Sequence, residues 1–122
     1  MRLLITVCMV FWSTTVYAGW DRFDTTEGNT WYVDKSTLKR GKFSTVWVMR
    51  NSDVADSNGI RSSKSLWEAD CTSGQIRTLN SMGFSRPSGE GPASYTVGAS
   101  VSSYPPPNSL IERFYNFLCS RK

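Results

Sequence analysis

The stretch Arg61-Ser-Ser-Lys-Ser-Leu-Trp-Glu-Ala-Asp-Cys71 constrains the fold more than any other part of the chain. Taken at every second residue, it places Ser63, Ser65, Trp67, Ala69 and Cys71 on one side. Ser62, Lys64, Glu68 and Asp70 fall on the other, with Leu66 the one apolar exception. Such alternation predicts a strand with one buried and one wet face. Cys71 closes the strand on the buried side, so its sulfur can reach whatever packs there. The C-terminal segment, which carries Cys119, is the obvious neighbour.

Export follows from the first eighteen residues. Arg2 is a short positive start, Leu3 to Trp12 is an apolar run, and Val16-Tyr17-Ala18 is a small-residue cleavage site. Together they read as a signal peptide, residues 1–18, cut between Ala18 and Gly19. The run is about half of what a spanning helix requires, so no stable membrane anchor is expected. Cys8 lies inside the run and leaves with it. The remaining cysteines, Cys71 and Cys119, form an even count in an oxidising compartment and predict one disulfide. By chain entropy such a link is worth about 4 kcal/mol. That is a large share of the roughly 5–15 kcal/mol that holds a domain of this size together.

Residues 19–122 are then one domain. Its elements can be placed in order. Trp20–Phe23 and Thr30–Val33 make a first hairpin around Gly28-Asn29. Asp34 caps a single helical turn running to Leu38. Phe43–Asn51 carries Phe43, Thr45, Trp47 and Met49 on one face and Ser44, Val46, Val48 and Arg50 on the other, so both faces should be covered. Ser52–Gly59 is a polar hairpin loop. Arg61–Cys71 follows, then the tight turn Thr72-Ser73-Gly74. Gln75–Phe84 sets Ile76, Thr78, Met82 and Phe84 against Arg77, Leu79 and Ser81. Ser85–Ser94, with two prolines and two glycines, is expected to be the most mobile connection. Tyr95–Ser103 alternates weakly and reads as a sixth, edge strand. Pro105-Pro106-Pro107 cannot continue a ladder. Asn108–Ser120 is a helix opened by a capping box, Ser109 to Glu112, with Leu110, Phe114, Phe117 and Leu118 at helical spacing and Arg121 and Lys122 at its negative end. The expected fold is α+β: an antiparallel meander of about six strands with one C-terminal α-helix packed on it, stapled by a disulfide.

Chemistry is sparse. The chain has no histidine, which removes Ser–His and Cys–His nucleophile pairs and the commonest metal ligand. With both exported cysteines in a disulfide, zinc has few ligands left. No metal or cofactor is expected. Glu68 and Asp70 share a strand face and could form a carboxylate pair for glycoside cleavage, but a solvated face beside Lys64 is the simpler reading. Asp53, Asp56 and Asn58 lack the calcium-loop spacing and its closing Glu. Gly89-Glu90-Gly91 lacks the setting of a phosphate loop. Trp20, Trp31, Trp47 and Trp67 could stack on sugars, though a small sheet needs their bulk for its core.

Net charge is +4 over the whole chain, and one less without Arg2. That is too little and too dispersed for nucleic acid, but it favours acidic partners. The densest basic run, Lys35, Lys39, Arg40 and Lys42, is the candidate docking patch for an acidic host protein or polysaccharide, with a solvated turn as the simpler reading.

Several features in sequence order resemble the surface-adhesin protein E family of Gram-negative bacteria. They are the leader, Trp20, Trp31-Tyr32-Val33-Asp34, Val46-Trp47-Val48, Ser63 to Cys71, and Pro106-Pro107-Asn108-Ser109 before a helix ending at Cys119. The likeness spans nearly all of residues 19–122, and the Ser-Lys-Ser-aromatic-Glu-x-Asp-Cys stretch is its most specific part. It implies a six-stranded antiparallel sheet with a C-terminal helix and a disulfide, and adhesion to host matrix or serum proteins at the cell surface. The family's named member resembles a lipoprotein, whereas this chain has no usable lipobox. A periplasmic or secreted product is therefore expected, with surface display as the other outcome. No ligand-contacting residue carries over. The expected function is non-enzymatic binding of a host extracellular protein through a sheet face or edge, with a homodimer as one form. The alternatives are a periplasmic accessory or inhibitor protein acting on an envelope partner, and a small carboxylate hydrolase.

Overall fold

The computed structural model describes Met9 and residues 19–120. The expected leader falls outside the described residues apart from Met9, as does Ala18 of the cleavage pair. Arg121 and Lys122, placed at the helix end by the sequence, are outside them too.

Six strands form one sheet: β1 Trp20–Thr26, β2 Asn29–Lys39, β3 Phe43–Ser52, β4 Ser62–Asp70, β5 Gln75–Phe84 and β6 Tyr95–Val97. They pair in chain order, every neighbour antiparallel. Pairing in chain order makes this meander the least costly topology, because each strand closes only its own connection to meet the next. The helix α1, Leu110–Cys119, lies across one face.

Four differences from the sequence reading have local causes. The helical turn after Asp34 does not form. Asp34 Oδ1 accepts from the Ser36 backbone N–H at 3.1 Å, and the Thr37 hydroxyl donates to the Asp34 carbonyl at 2.7 Å. The same hydroxyl oxygen accepts the Trp47 N–H at 3.1 Å. A side chain thus replaces a ladder bond, and β2 continues through an irregularity to Lys39. The second difference is in β5. Leu66 pairs with Asn80 and Trp67 with Thr78, so Leu79 is an extra, unpaired residue. One inserted residue exchanges the faces of everything beyond it. Ile76 and Thr78 therefore share the helix side with Ser81, while Met82 and Phe84 share the opposite side with Arg77.

Third, the sixth strand is three residues long rather than the whole of Tyr95–Ser103. After Val97 the chain holds β5 only at points: Ser100 N–H donates to the Thr78 carbonyl, and Ser103 and Ile76 form an isolated bridge. Tyr95 lies so close over Gly83 that a methyl group there would sit 2.1 Å from its ring. Fourth, the far face of β4 is not simply wet. Ser62 is fully buried and Lys64 half-buried, because the segment 85–90 folds back over them.

The core lies between sheet and helix. Val33, Val46, Val48, Ala69 and Ile76 come from four strands and meet Phe114 and Leu118. Phe114 is at the centre. Its ring lies 4.7 Å from that of Phe23, 5.8 Å from Trp31 and 5.7 Å from Trp67, centroid to centroid. Cys71 and Cys119 are joined, with Cα atoms 5.5 Å apart and 48 residues between them in sequence. At the other end of α1 the Ser109 hydroxyl accepts from the Glu112 N–H at 3.1 Å. Glu112 reaches back to Asn108 N–H at 3.3 Å, so the capping box closes one residue earlier than its usual form. Arg113 pairs with Asp24 of β1 at 2.5 Å.

Asp70 organises the β4–β5 turn. Its Oδ1 accepts from the N–H groups of Thr72 and Ser73 at 3.0 and 3.2 Å. These bonds, Ser73's first, hold its carboxyl below the ordinary value of 3.8, with help from the Ser73 hydroxyl and the charge of Lys42. A carboxyl depressed in the folded state stabilises above its ordinary pKa, and that contribution is lost as pH falls through the folded value. Asp70→Asn should therefore show a shallower loss of stability below pH 3.8 than the parent in urea titrations at stepped pH. Phe114→Ala should cost about 3–5 kcal/mol, read as a lower urea midpoint with an unchanged slope.

Candidate functional site

The basic run occupies the end of β2 and the turn into β3. Lys35 is exposed and makes only a long contact with Asp21, at 4.0 Å. Lys39 and Lys42 are exposed. Arg40 differs from them. Its Nη2 donates to the Phe117 carbonyl and the Ser120 hydroxyl, each at 3.3 Å, and its guanidinium stands 5.9 Å from the Phe117 ring centre. Arg40 therefore caps the end of α1, where unpaired carbonyls and the helix dipole favour a cation. This task falls to it because the β2–β3 turn brings residue 40 beside residue 117, a proximity with no local signal in sequence.

Beside Arg40 lies a cavity of about 670 Å³. Arg40, Lys42, Leu118, Ser120 and the two disulfide cysteines are among the residues that line it. Ser44 is 1% exposed there. Its hydroxyl exchanges bonds with Gly41 at 3.3 Å and sits 3.6 Å from the Cys71 sulfur. The turn that carries the lysines is thus fixed to the disulfide by a buried hydroxyl. Lys42 Nζ lies 5.5 Å from the ring centre of Phe43, and Phe43 is 51% exposed. An exposed aromatic flanked by lysines suits a protein contact, since aromatic residues supply large area at low entropic cost. Phe43 reads as a strand residue in sequence; its exposure comes from its place at the strand's end.

The other residues singled out by sequence have structural employment. Glu68 accepts from Arg77 at 3.0 Å across the β4–β5 pair, and Asp70 holds its turn, so each carboxylate has a partner of its own. Asp56 Oδ1 accepts from Asn58 and Ile60 N–H groups at 2.8 and 3.0 Å. The Ile60 bond is the main reason its carboxyl is depressed. Among the described residues no three His, Cys, Asp or Glu side chains gather as a metal site. Also among them, no helix is long and apolar enough to cross a membrane. The tryptophans divide. Trp31 and Trp67 pack around Phe114. Trp20 and Trp47 pair through the register of β1, β2 and β3 onto the face away from the helix.

Comparison with known proteins agrees with this architecture. The sequence matches the family model described as surface-adhesin protein E over residues 20–120. It matches no curated protein sequence. Among solved structures, crystal form II of Haemophilus influenzae protein E superposes with a TM-score of 0.63 at 12% identity, covering 85% of this chain and 89% of that one. Another structure of Haemophilus influenzae protein E gives 0.60 at 11%, covering 85% and 86%. Protein E from non-typeable Haemophilus influenzae gives 0.57 at 12%, covering 87% and 78%. At such identities the structural likeness establishes the fold.

Proposed function

The chain belongs to the surface-adhesin protein E family, and on that footing we propose that it is an exported, non-enzymatic adhesin that docks an acidic protein surface through its disulfide end. The partner class is host matrix or serum protein. The leader, residues 1–18, is removed at Ala18–Gly19, and residues 19–122 do the binding.

One observation carries the reading: Lys39, Lys42 and Phe43 are exposed together on a turn that a disulfide and a buried serine hold still. Charges on a pre-ordered turn lose little entropy on binding and steer an acidic partner. Arg40 supports the turn from behind through α1. A flexible tail of lysines would lose more freedom on contact and discriminate less.

The test is binding of the purified protein to immobilised matrix and serum proteins at stepped ionic strength. Binding should weaken as salt rises. It should fall about tenfold or more, at least 1.4 kcal/mol, in Lys39→Glu/Lys42→Glu, with the melting temperature unchanged. Binding that ignores both salt and the charge reversal would refute docking at this end. Capture of a periplasmic protein with no host binding would replace the adhesin reading with an envelope-partner one. Surface proteolysis of intact cells decides whether host partners reach the protein.

A further inference from the structure

The face of the sheet opposite α1 holds a second cavity, of about 650 Å³, lined by Trp20, Arg22, Tyr32, Met49, Ser88 and Glu90. It shares no residue with the cavity at the disulfide end. Register explains its floor. Arg22 pairs with Tyr32, Tyr32 with Met49 and Met49 with Lys64, giving one continuous row across four strands. Trp20 stands one pair further along, and Lys64 Nζ lies 5.9 Å from its ring centre and 5.6 Å from that of Phe84.

The wall belongs to Ser85–Ser94, the connection expected to be the most mobile. Its 3-10 turn, Pro87–Gly89, is held at three points. Ser88 N–H donates to Asn51 Oδ1 at 2.6 Å, and Asn51 Nδ2 donates to the Ser88 hydroxyl at 3.1 Å. Gly89 N–H donates to the Ser62 hydroxyl at 2.8 Å, which in turn donates to the Arg86 carbonyl at 2.5 Å. Ser62 is 0% exposed. Gly89 suits its place because its φ is +65°, where a side chain would strain the backbone. The cavity therefore has a set shape before any ligand arrives, as binding sites for small ligands commonly do.

Its lining decides what fits. An anion would face Glu90, and a cation would face Arg22. A wholly apolar ligand would strip water from Arg22, Ser88 and Glu90 without replacing it. A neutral polyhydroxylated ring meets none of these penalties. Its C–H face can lie on an aromatic ring. Each hydroxyl both donates and accepts, so one ligand serves a carboxylate, a guanidinium and a hydroxyl together. Arg22 is already turned by Thr25, whose Oγ1 accepts from its Nε at 3.2 Å and from Nη2 at 2.5 Å. Guanidinium N–H groups beyond these two remain for a ligand.

We propose that this cavity binds a neutral saccharide, one or two sugar rings resting on Trp20 and Tyr32, with hydroxyls held by Arg22, Ser88 and Glu90. The site gives the adhesin a glycan contact separate from its basic end. The sugar could belong to a glycoprotein or to an envelope polysaccharide.

Titration of the protein with lactose, maltotriose, triacetylchitotriose and methyl α-mannoside, each to about 10 mM, covers the weak range expected of single sugars. Indole and phenol NMR signals report contact. At least one probe should bind saturably and shift the Trp20 signal. Affinity should fall about tenfold or more, 1.4 kcal/mol, in Trp20→Ala and in Glu90→Ala, and stay unchanged in Lys42→Ala. Glu90 is an exposed loop residue, so its variant reports binding even if Trp20→Ala does not fold. A glycoprotein compared before and after enzymatic deglycosylation, beside soluble peptidoglycan fragments, separates the two sources. No binding to any probe, equal binding by Glu90→Ala, or binding only to a sulfated polysaccharide would overturn the proposal.

Discussion

The fold depends on one contact: the Phe114 and Leu118 face of α1 seated on strands β2 to β5. A helix of ten residues does not hold its shape alone in water, and a sheet of this kind cannot leave valines 33, 46 and 48 exposed. Each element solves the other's problem. The disulfide then narrows the unfolded ensemble by about 4 kcal/mol and fixes which end of the helix lies over which end of the sheet. Arg113 with Asp24, and Arg40 with the Phe117 carbonyl, tie both helix ends to the first half of the sheet.

Two buried serines do comparable work on opposite faces. Ser44 and Ser62 are the buried polar side chains among the described residues. A buried hydroxyl without a partner costs about 1–3 kcal/mol, and each of these bonds a loop instead. Ser44 holds the β2–β3 turn against the disulfide, and Ser62 holds the segment 86–89 against β4. Each fixed loop is one wall of a cavity. The protein thereby obtains two shaped recesses from a plain meander. The dense basic turn borders one recess, and the aromatic row floors the other.

Much of this was legible in the residues. Period-two alternation located the central strands, the Ser109–Glu112 spacing marked the helix start, and the cysteine count named the disulfide. Local signals sufficed there because period, capping and oxidation state are properties of short stretches. They failed where a distant partner decided the outcome. The Thr37 hydroxyl took the Trp47 N–H and kept β2 extended, and an unpaired Leu79 reversed the faces of β5. Neither event leaves a mark in its own neighbourhood.

The candidate sites divide in the same way. Residue order by itself determined that Lys35, Lys39, Arg40 and Lys42 form a basic run, and that the chain has no histidine for nucleophilic chemistry. Only the tertiary structure decided that Arg40 serves the helix while Lys39 and Lys42 face outward, and that Trp20, Tyr32 and Glu90 share one recess. The reason is physical. Charge and hydrophobicity belong to each residue, but a recess is made by strand register and by the loop that closes over it, and both are set by contacts between residues far apart in the chain.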